Sequence, residues 1–214
     1  MIRKMIGMMM ALSFVVLAGC GGGGSSSPPV FTGQILSNPS IGGDIEQVGG
    51  IFTPATSGLH QPLYGLQTGD EFRAFLTFPL DGSTGGSVIP VNARVVSADL
   101  ELHISRCDIA TVPTLLDLIA YSTRTGPVYA TDFNSLPLTA TSFRTFDIVR
   151  NTDLNNFVRI DVTPLVQDAI ALGRNEVQFR LMYSLSAALQ NGLVGFDDDP
   201  AIAATAPLLT ISYE

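Results

Sequence analysis

The chain has no tryptophan, only two histidines and two cysteines, and its 11 Lys and Arg are outnumbered by 19 Asp and Glu. Each shortage argues against something. Without tryptophan the largest flat platform for a sugar ring is missing, so aromatic recognition would fall to the five tyrosines. A net charge of −8 provides no basic stripe to neutralise phosphates, which argues against nucleic acid as a partner and against electrostatic adhesion to anionic lipid. His60 and His103 have no partner at metal-ligand spacing, and His103 falls among the solvent-facing residues of its segment, so it reads as a solvated imidazole. No Gly-x-Ser-x-Gly elbow occurs, and no serine or cysteine has a base at nominating spacing. Asp99 and Glu101 would share one strand face, a commonplace on a wet surface, and carry no glycosidase signal by themselves. The chain therefore reads as a non-enzyme, with an unrecognised hydrolase as the outlying alternative.

A long apolar run is also missing. The longest candidate, Met5 to Leu17, falls short of the ~20 residues needed to cross a bilayer. It follows Arg3 and Lys4 and closes with Leu17-Ala18-Gly19-Cys20, the order of a secretory signal peptide. The last four residues resemble the lipobox of bacterial lipoproteins, in which cleavage precedes a cysteine that receives a diacylglycerol. That resemblance implies a signal peptide over residues 1–19, lipidation at Cys20, and a lipid bilayer as partner through the acyl chains. Each buried CH₂ contributes about 0.8 kcal/mol, so several chains anchor firmly where one does not. Gly21 rather than aspartate follows the cysteine, which in the enteric sorting pattern implies the outer membrane of the cell envelope. Loss of residues 1–19 removes two cations and no acid, moving the formal charge from −8 to −10.

Residues 20–30 then form a Gly/Ser/Pro linker, with almost no side chain to bury. No strand precedes its glycines and no Lys-Ser/Thr closes them, so this is no phosphate loop. With Cys20 acylated, Cys107 stands alone and no intramolecular disulfide can form. It reads as a small buried apolar residue, and stability must come from an ordinary core.

From residue 31 to 214 the dominant period is two. Phe72, Ala74, Leu76, Phe78 and Leu80 alternate with Arg73 and Thr77; Val96 to Ile104 alternate with Asp99, Glu101, His103 and Ser105. Val158, Ile160 and Val162 oppose Arg159 and Asp161, and Val177 to Leu185 oppose Gln178, Arg180 and Ser184. Each predicts a strand with one apolar and one wet face. Turn-forming stretches such as Asp81 to Gly86 and Asn191-Gly192 separate the strands. Such strands must hide their apolar faces against each other, which predicts an all-β, two-sheet antiparallel jelly-roll-like β-sandwich. One short helix is expected to close an open end, with Thr163 as its cap, Pro164 in its first turn and Gly173 at its stop, and Asp168 solvated.

Phe72-Arg73-Ala74-Phe75-Leu76-Thr77-Phe78, Val95-Val96-Ser97-Ala98-Asp99-Leu100-Glu101-Leu102, Ile160-Asp161-Val162-Thr163-Pro164-Leu165-Val166-Gln167 and Ala206-Pro207-Leu208-Leu209-Thr210-Ile211-Ser212-Tyr213 follow one another in an order that resembles the DNRLRE-type domain. That module is a jelly-roll β-sandwich of bacterial and archaeal surface proteins, similar in shape to carbohydrate-binding modules. The resemblance spans residues 72–213 and implies a surface-exposed binding or structural role, with Ala206 standing where the family commonly has arginine.

Two sets of residues are candidates for a ligand. Asp197, Asp198 and Asp199 form an acidic run that could supply hard oxygen ligands to calcium, with Asp44 or Glu46 as further donors. Tyr64, Tyr121 and Tyr129 fall in or near expected loops and could contact a glycan. The expected function is a lipid-anchored, non-catalytic sandwich that binds glycans, or alternatively a structural component that engages envelope or matrix proteins.

Overall fold

A computed structural model of the chain describes residues 27–56, 61–120, 128–184, 190–199 and 202–214. It is a two-sheet antiparallel sandwich. In chain order the elements are β1 (Phe31–Leu36), β2 (Gly43–Val48), β3 (Ile51–Thr56), β4 (Leu63–Gln67), β5 (Asp70–Pro79), β6 (Val95–Cys107), β7 (Thr111–Leu118), β8 (Phe143–Val149), the helical turn α1 (Arg150–Asp153), β9 (Phe157–Asp161), α2 (Thr163–Ala171), β10 (Glu176–Tyr183), β11 (Gly192–Phe196) and β12 (Leu208–Tyr213). A 3₁₀ turn spans Ala130–Asn134.

The front sheet runs β1-β12-β6-β9 and the back sheet β3-β2-β5-β10-β7-β8. They are joined along one side, where β11 pairs with the end of β6 and with β4, and β4 pairs with β5. Gly65 makes this seam possible: its φ is +127°, and a Cβ there would lie 2.3 Å from the carbonyl of Gly192. Most inward residues read from the period-two pattern form one core, in which Leu76 and Phe78 of β5, Leu100 and Leu102 of β6, and Phe179 and Leu181 of β10 are fully buried. Val96, read as inward, is exposed and Val95 is buried in its place, because the pairing of β6 with β12 shifts there. Phe78 and Phe179 meet edge-on at 6.0 Å.

The end of the sandwich is closed by α2, which packs Leu165, Val166 and Ala169 into that core. Gly173, at φ +68°, stops it. Thr163 does not cap it. Thr163 is the first helical residue, its backbone N–H donates to the Asp161 carboxylate at 2.9 Å, and its hydroxyl is turned to the backbone of Ala98 on β6. Hydrogen bonding from Thr163 holds the Asp161 carboxyl below the usual range. Asp168 is likewise not a free surface group, because it accepts hydrogen bonds from Ser142 and, at 3.2 Å, from Thr139.

The largest departure from expectation lies on the outer face of the back sheet. Arg73 and Thr77 of β5, and Gln178, Arg180 and Ser184 around β10, were expected to meet solvent, yet all are buried except Arg73, which is half-buried. The 3₁₀ turn and Ser135 after it lie over Arg73 and Arg180. Phe133 in that turn joins Ile45, Phe75, Ile119 and Val128 in a second apolar cluster, and its ring stacks against Phe52 at 4.9 Å. Arg180 stays satisfied beneath the turn because it makes a two-point contact with Asp117 at 3.2 and 2.6 Å and donates to the carbonyls of Phe133 and Ser135 at 2.9 and 2.8 Å. Arg73 donates to the same Phe133 carbonyl at 2.6 Å and lies 4.0 Å above the Phe133 ring. Burial pushes the Asp117 carboxyl up, and the Arg180 guanidinium pulls it back.

Removing one member of this pair leaves the other charge buried. Arg180→Met is therefore expected to cost about 3–5 kcal/mol in denaturant unfolding and to raise binding of an apolar dye as the cover lifts from Phe75. Adding Asp117→Leu should restore most of the loss. An Arg180→Met protein as stable as the parent would refute this account.

Candidate functional site on the open sheet face

With the centre of the back sheet covered, the outer face of the front sheet is a broad polar surface that is open among the described residues. Register decides what stands there. β6 pairs with β9 so that His103 lies opposite Phe157, Glu101 opposite Arg159, and Asp99 opposite Asp161. All six point away from the core, because Leu100, Leu102, Ile104 and Ile160 between them point into it. Arg159 reaches diagonally to Asp99, with Nη2 2.7 Å from Oδ2.

His103 was expected to be solvated; instead it is the centre of a built cluster. Its Nδ1 lies 2.7 Å from Oδ2 of Asp197, which follows β11, and its ring meets Phe157 edge-on at 5.1 Å. The backbone N–H of Asp197 donates to the His103 carbonyl at 3.1 Å, so the two residues are tied at two points. A carboxylate only accepts, so Nδ1 carries the proton of this hydrogen bond. Phe157 is 55% exposed, leaving ring surface for a ligand. Ser105, two residues further along the same face, accepts from the Gln61 amide. The patch thus offers an apolar ring, an imidazole, two carboxylates on one strand and a guanidinium.

Beside it, β8 and β9 face each other across a cleft of about 510 Å³. Arg159 and Asp161 belong to both surfaces, Phe146 and Val158 form part of the floor, and α1 supplies Thr152 and Asp153. Arg144 spans one end, its Nε donating to the Asp161 carbonyl at 3.1 Å. Among the described residues β8 pairs only with β7 and β9 only with β6, so both strands present unpaired edges to the cleft.

The residues singled out from sequence fall in different places. Tyr64 is not a loop residue. It lies within β4, fully buried, with its hydroxyl 2.9 Å from that of Thr114, and burial pushes the phenol well up; it shows no ring face to solvent. Tyr129 is exposed at the start of the 3₁₀ turn on the covered side. Tyr121, His60, Cys20 and the signal segment lie outside the described residues. Cys107 is buried, its thiol facing the Ile109 carbonyl at 3.3 Å, and burial raises its pKa.

The acidic run diverges, which corrects the reading of a shared calcium site. Asp197 faces His103, Asp198 turns inward to the Ser37 hydroxyl beside a cleft of about 230 Å³, and Asp199 is exposed. Asp44 is buried on β2 and accepts from the backbone of Leu63 at 2.7 Å. Consecutive residues in extended chain point to opposite sides, so adjacency in sequence kept these carboxylates apart. Among the described residues no group of three or more His, Cys, Asp or Glu side chains is arranged to hold a metal. Nor is any described helix long and apolar enough to cross a membrane.

No family model matches the chain, and no curated protein is detectably similar to it. The site must therefore be read from its own chemistry.

One acid outside this patch titrates near neutrality. Burial raises the Glu176 carboxyl to about 7, with Asp81 adding to the rise and Arg174 opposing it. The folded chain then holds a proton that the unfolded chain releases in the ordinary carboxylate range. This contribution to stability is complete at acid pH and is lost as pH rises through about 7. Glu176→Gln should accordingly raise the thermal midpoint relative to the parent at pH 8 and leave it similar at pH 4. Parallel midpoint-against-pH curves for the two proteins would show that Glu176 titrates normally.

Proposed function

We propose that this chain is a lipid-anchored, non-catalytic binding module of the bacterial cell envelope, acylated at Cys20, that recognises glycans on the open face of its front sheet. The observation that carries the reading is the Phe157–His103–Asp197 cluster next to the Asp99–Arg159 pair. Glycan recognition needs an apolar ring for the C–H face of a pyranose and fixed polar groups that exchange hydrogen bonds with adjacent hydroxyls. This patch has both, on strands whose register holds them in place. The aromatic contribution thus shifts from the tyrosines to Phe157. The jelly-roll form shared with the DNRLRE-type resemblance supports the same reading, although a sandwich fold alone hosts many functions.

A second reading, a protein-binding envelope component, is favoured by one observation: the unpaired edges of β8 and β9, which could accept an extended strand from a partner.

The two are separated by glycan-array binding of the acylated chain. Phe157→Ala and His103→Ala should each weaken the captured glycan about tenfold, equivalent to about 1.4 kcal/mol, without lowering the unfolding midpoint. An array with no signal, together with a protein crosslinked to β8, would overturn the glycan reading in favour of the second. Acylation has its own measurement: mass spectrometry of the membrane-derived protein should find the lipid on Cys20, and Cys20→Ser should leave the envelope fraction.

A further inference from the structure

We infer that the tether end of the sandwich docks directly onto the bilayer that holds its anchor, through a rim formed by Phe31, Val88, Val91 and Leu172. The inference rests on the acylation of Cys20 proposed above and adds an orientation to it.

Four elements bring these residues to one end. Phe31 begins β1 and pairs with Tyr213 near the end of β12, their rings 5.8 Å apart, and Tyr213 pairs in turn with Val95 at the start of β6. The segment before β6 runs along β1, with Ser87 N–H donating to Gln34 O at 2.8 Å, and ends where Arg94 and Glu214 exchange backbone hydrogen bonds of 3.1 and 3.0 Å. Val88 and Val91 in that segment share a cavity of about 210 Å³ with Arg174 and Asn175, which follow α2. Along α2, Thr163 bonds to Ala98 and Gln167 to Val95, so the helix advances toward the same end, where Leu172 caps it.

All four side chains are exposed: Phe31 by 54%, Val88 by 63%, Val91 by 77% and Leu172 by 50%. Single exposed aliphatic residues are ordinary, but a group gathered at one end marks a contact surface. The tether identifies what covers it. The ten residues from Gly21 to Val30 cannot span more than about 35 Å even fully extended, and Val30 leads directly into Phe31, so an acylated Cys20 keeps the bilayer within reach of this rim. Lysine is absent from the group, and the neighbouring Arg94 is paired with Glu214 at 2.9 Å. Contact through apolar tips at the headgroup boundary therefore suits this end better than charge attraction. The orientation also gives β6 a second role. His103 lies eight residues beyond Val95, about 26 Å along the strand, which holds the Phe157 patch clear of the lipid.

The absence of tryptophan makes the test direct, because a single introduced indole is the only one in the molecule. Full-length acylated chains carrying Val91→Trp or Phe157→Trp are reconstituted on phosphatidylcholine vesicles, with and without bromine on the acyl chains. Val91 is exposed, so the larger ring needs no space in the core. Both proteins should float with the vesicles. Bromine should cut Val91→Trp emission roughly by half and leave Phe157→Trp nearly unchanged. Flotation with no quenching at Val91 would overturn the docking while leaving the anchor intact. Failure of both proteins to float would overturn the anchor and the docking together.

Discussion

The carbonyl oxygen of Phe133 receives guanidinium N–H groups from both Arg73 and Arg180, and on this convergence the arrangement of the molecule turns. Arg180 is otherwise held by Asp117, so one buried ion pair and one peptide carbonyl fasten the segment after β7 across the back sheet. The ion pair itself gains little over an apolar pair of similar volume, since both charges must leave water. What it adds is position. The fork of Arg180 fixes where the 3₁₀ turn sits, and the Phe133 ring then seals Phe75 and Ile45. A sandwich has two outer faces on which a site could develop, and here the centre of the first is covered. The candidate site is thereby left to the front sheet and the cleft beside it.

The strands were readable for a simple reason: a core wedged between two sheets imposes period two, and β5, β6, β9 and β10 each declare it within a residue or two of their observed limits. The helix was readable because Pro164 and Gly173 mark its two ends. What period two does not state is which polar face meets water. Arg180 and Gln178 look the same in sequence as Glu101 and His103, yet the first pair is buried under a cover and the second is not. The difference is made by residues more than forty positions away, in a stretch with no periodicity of its own. Tyr64 was misread for a related reason. β4 is only five residues long and flanked by Gly, Pro and Gln, so its local chemistry is that of a loop, while its burial is decided by pairing with β11 far along the chain.

The candidate site was partly visible residue by residue and invisible as a site. His103 stood out as one of two histidines and Asp197 as part of an acidic run, but their spacing of 94 positions carries no signal. Phe157 drew no notice at all, because an aromatic at the start of a short strand usually packs inward. Only the register of β6 with β9, and the path of β11 along the far part of β6, brings the three together.

Alternation along β11 does the rest. Val194 and Phe196 both enter the core, so the same period two, continued past the strand, faces Asp197 to the His103 imidazole and turns Asp198 in toward Ser37. The bulge here belongs to β6: Gly195 lies opposite Arg106 and Phe196 opposite Ile104, so Ser105 is the extra residue, and Ile104 and Cys107 can both face the core. The close approach demands small residues, and Gly195 fits because a Cβ there would meet the Gln61 amide at 2.7 Å. A one-residue slip of β6 against β9 would be still more damaging, since it would send His103 into the core and Leu102 to the surface. The cost of burying that imidazole and exposing that leucine locks the register, so the hydrophobic core that makes the fold also fixes the geometry of the polar patch on its far side.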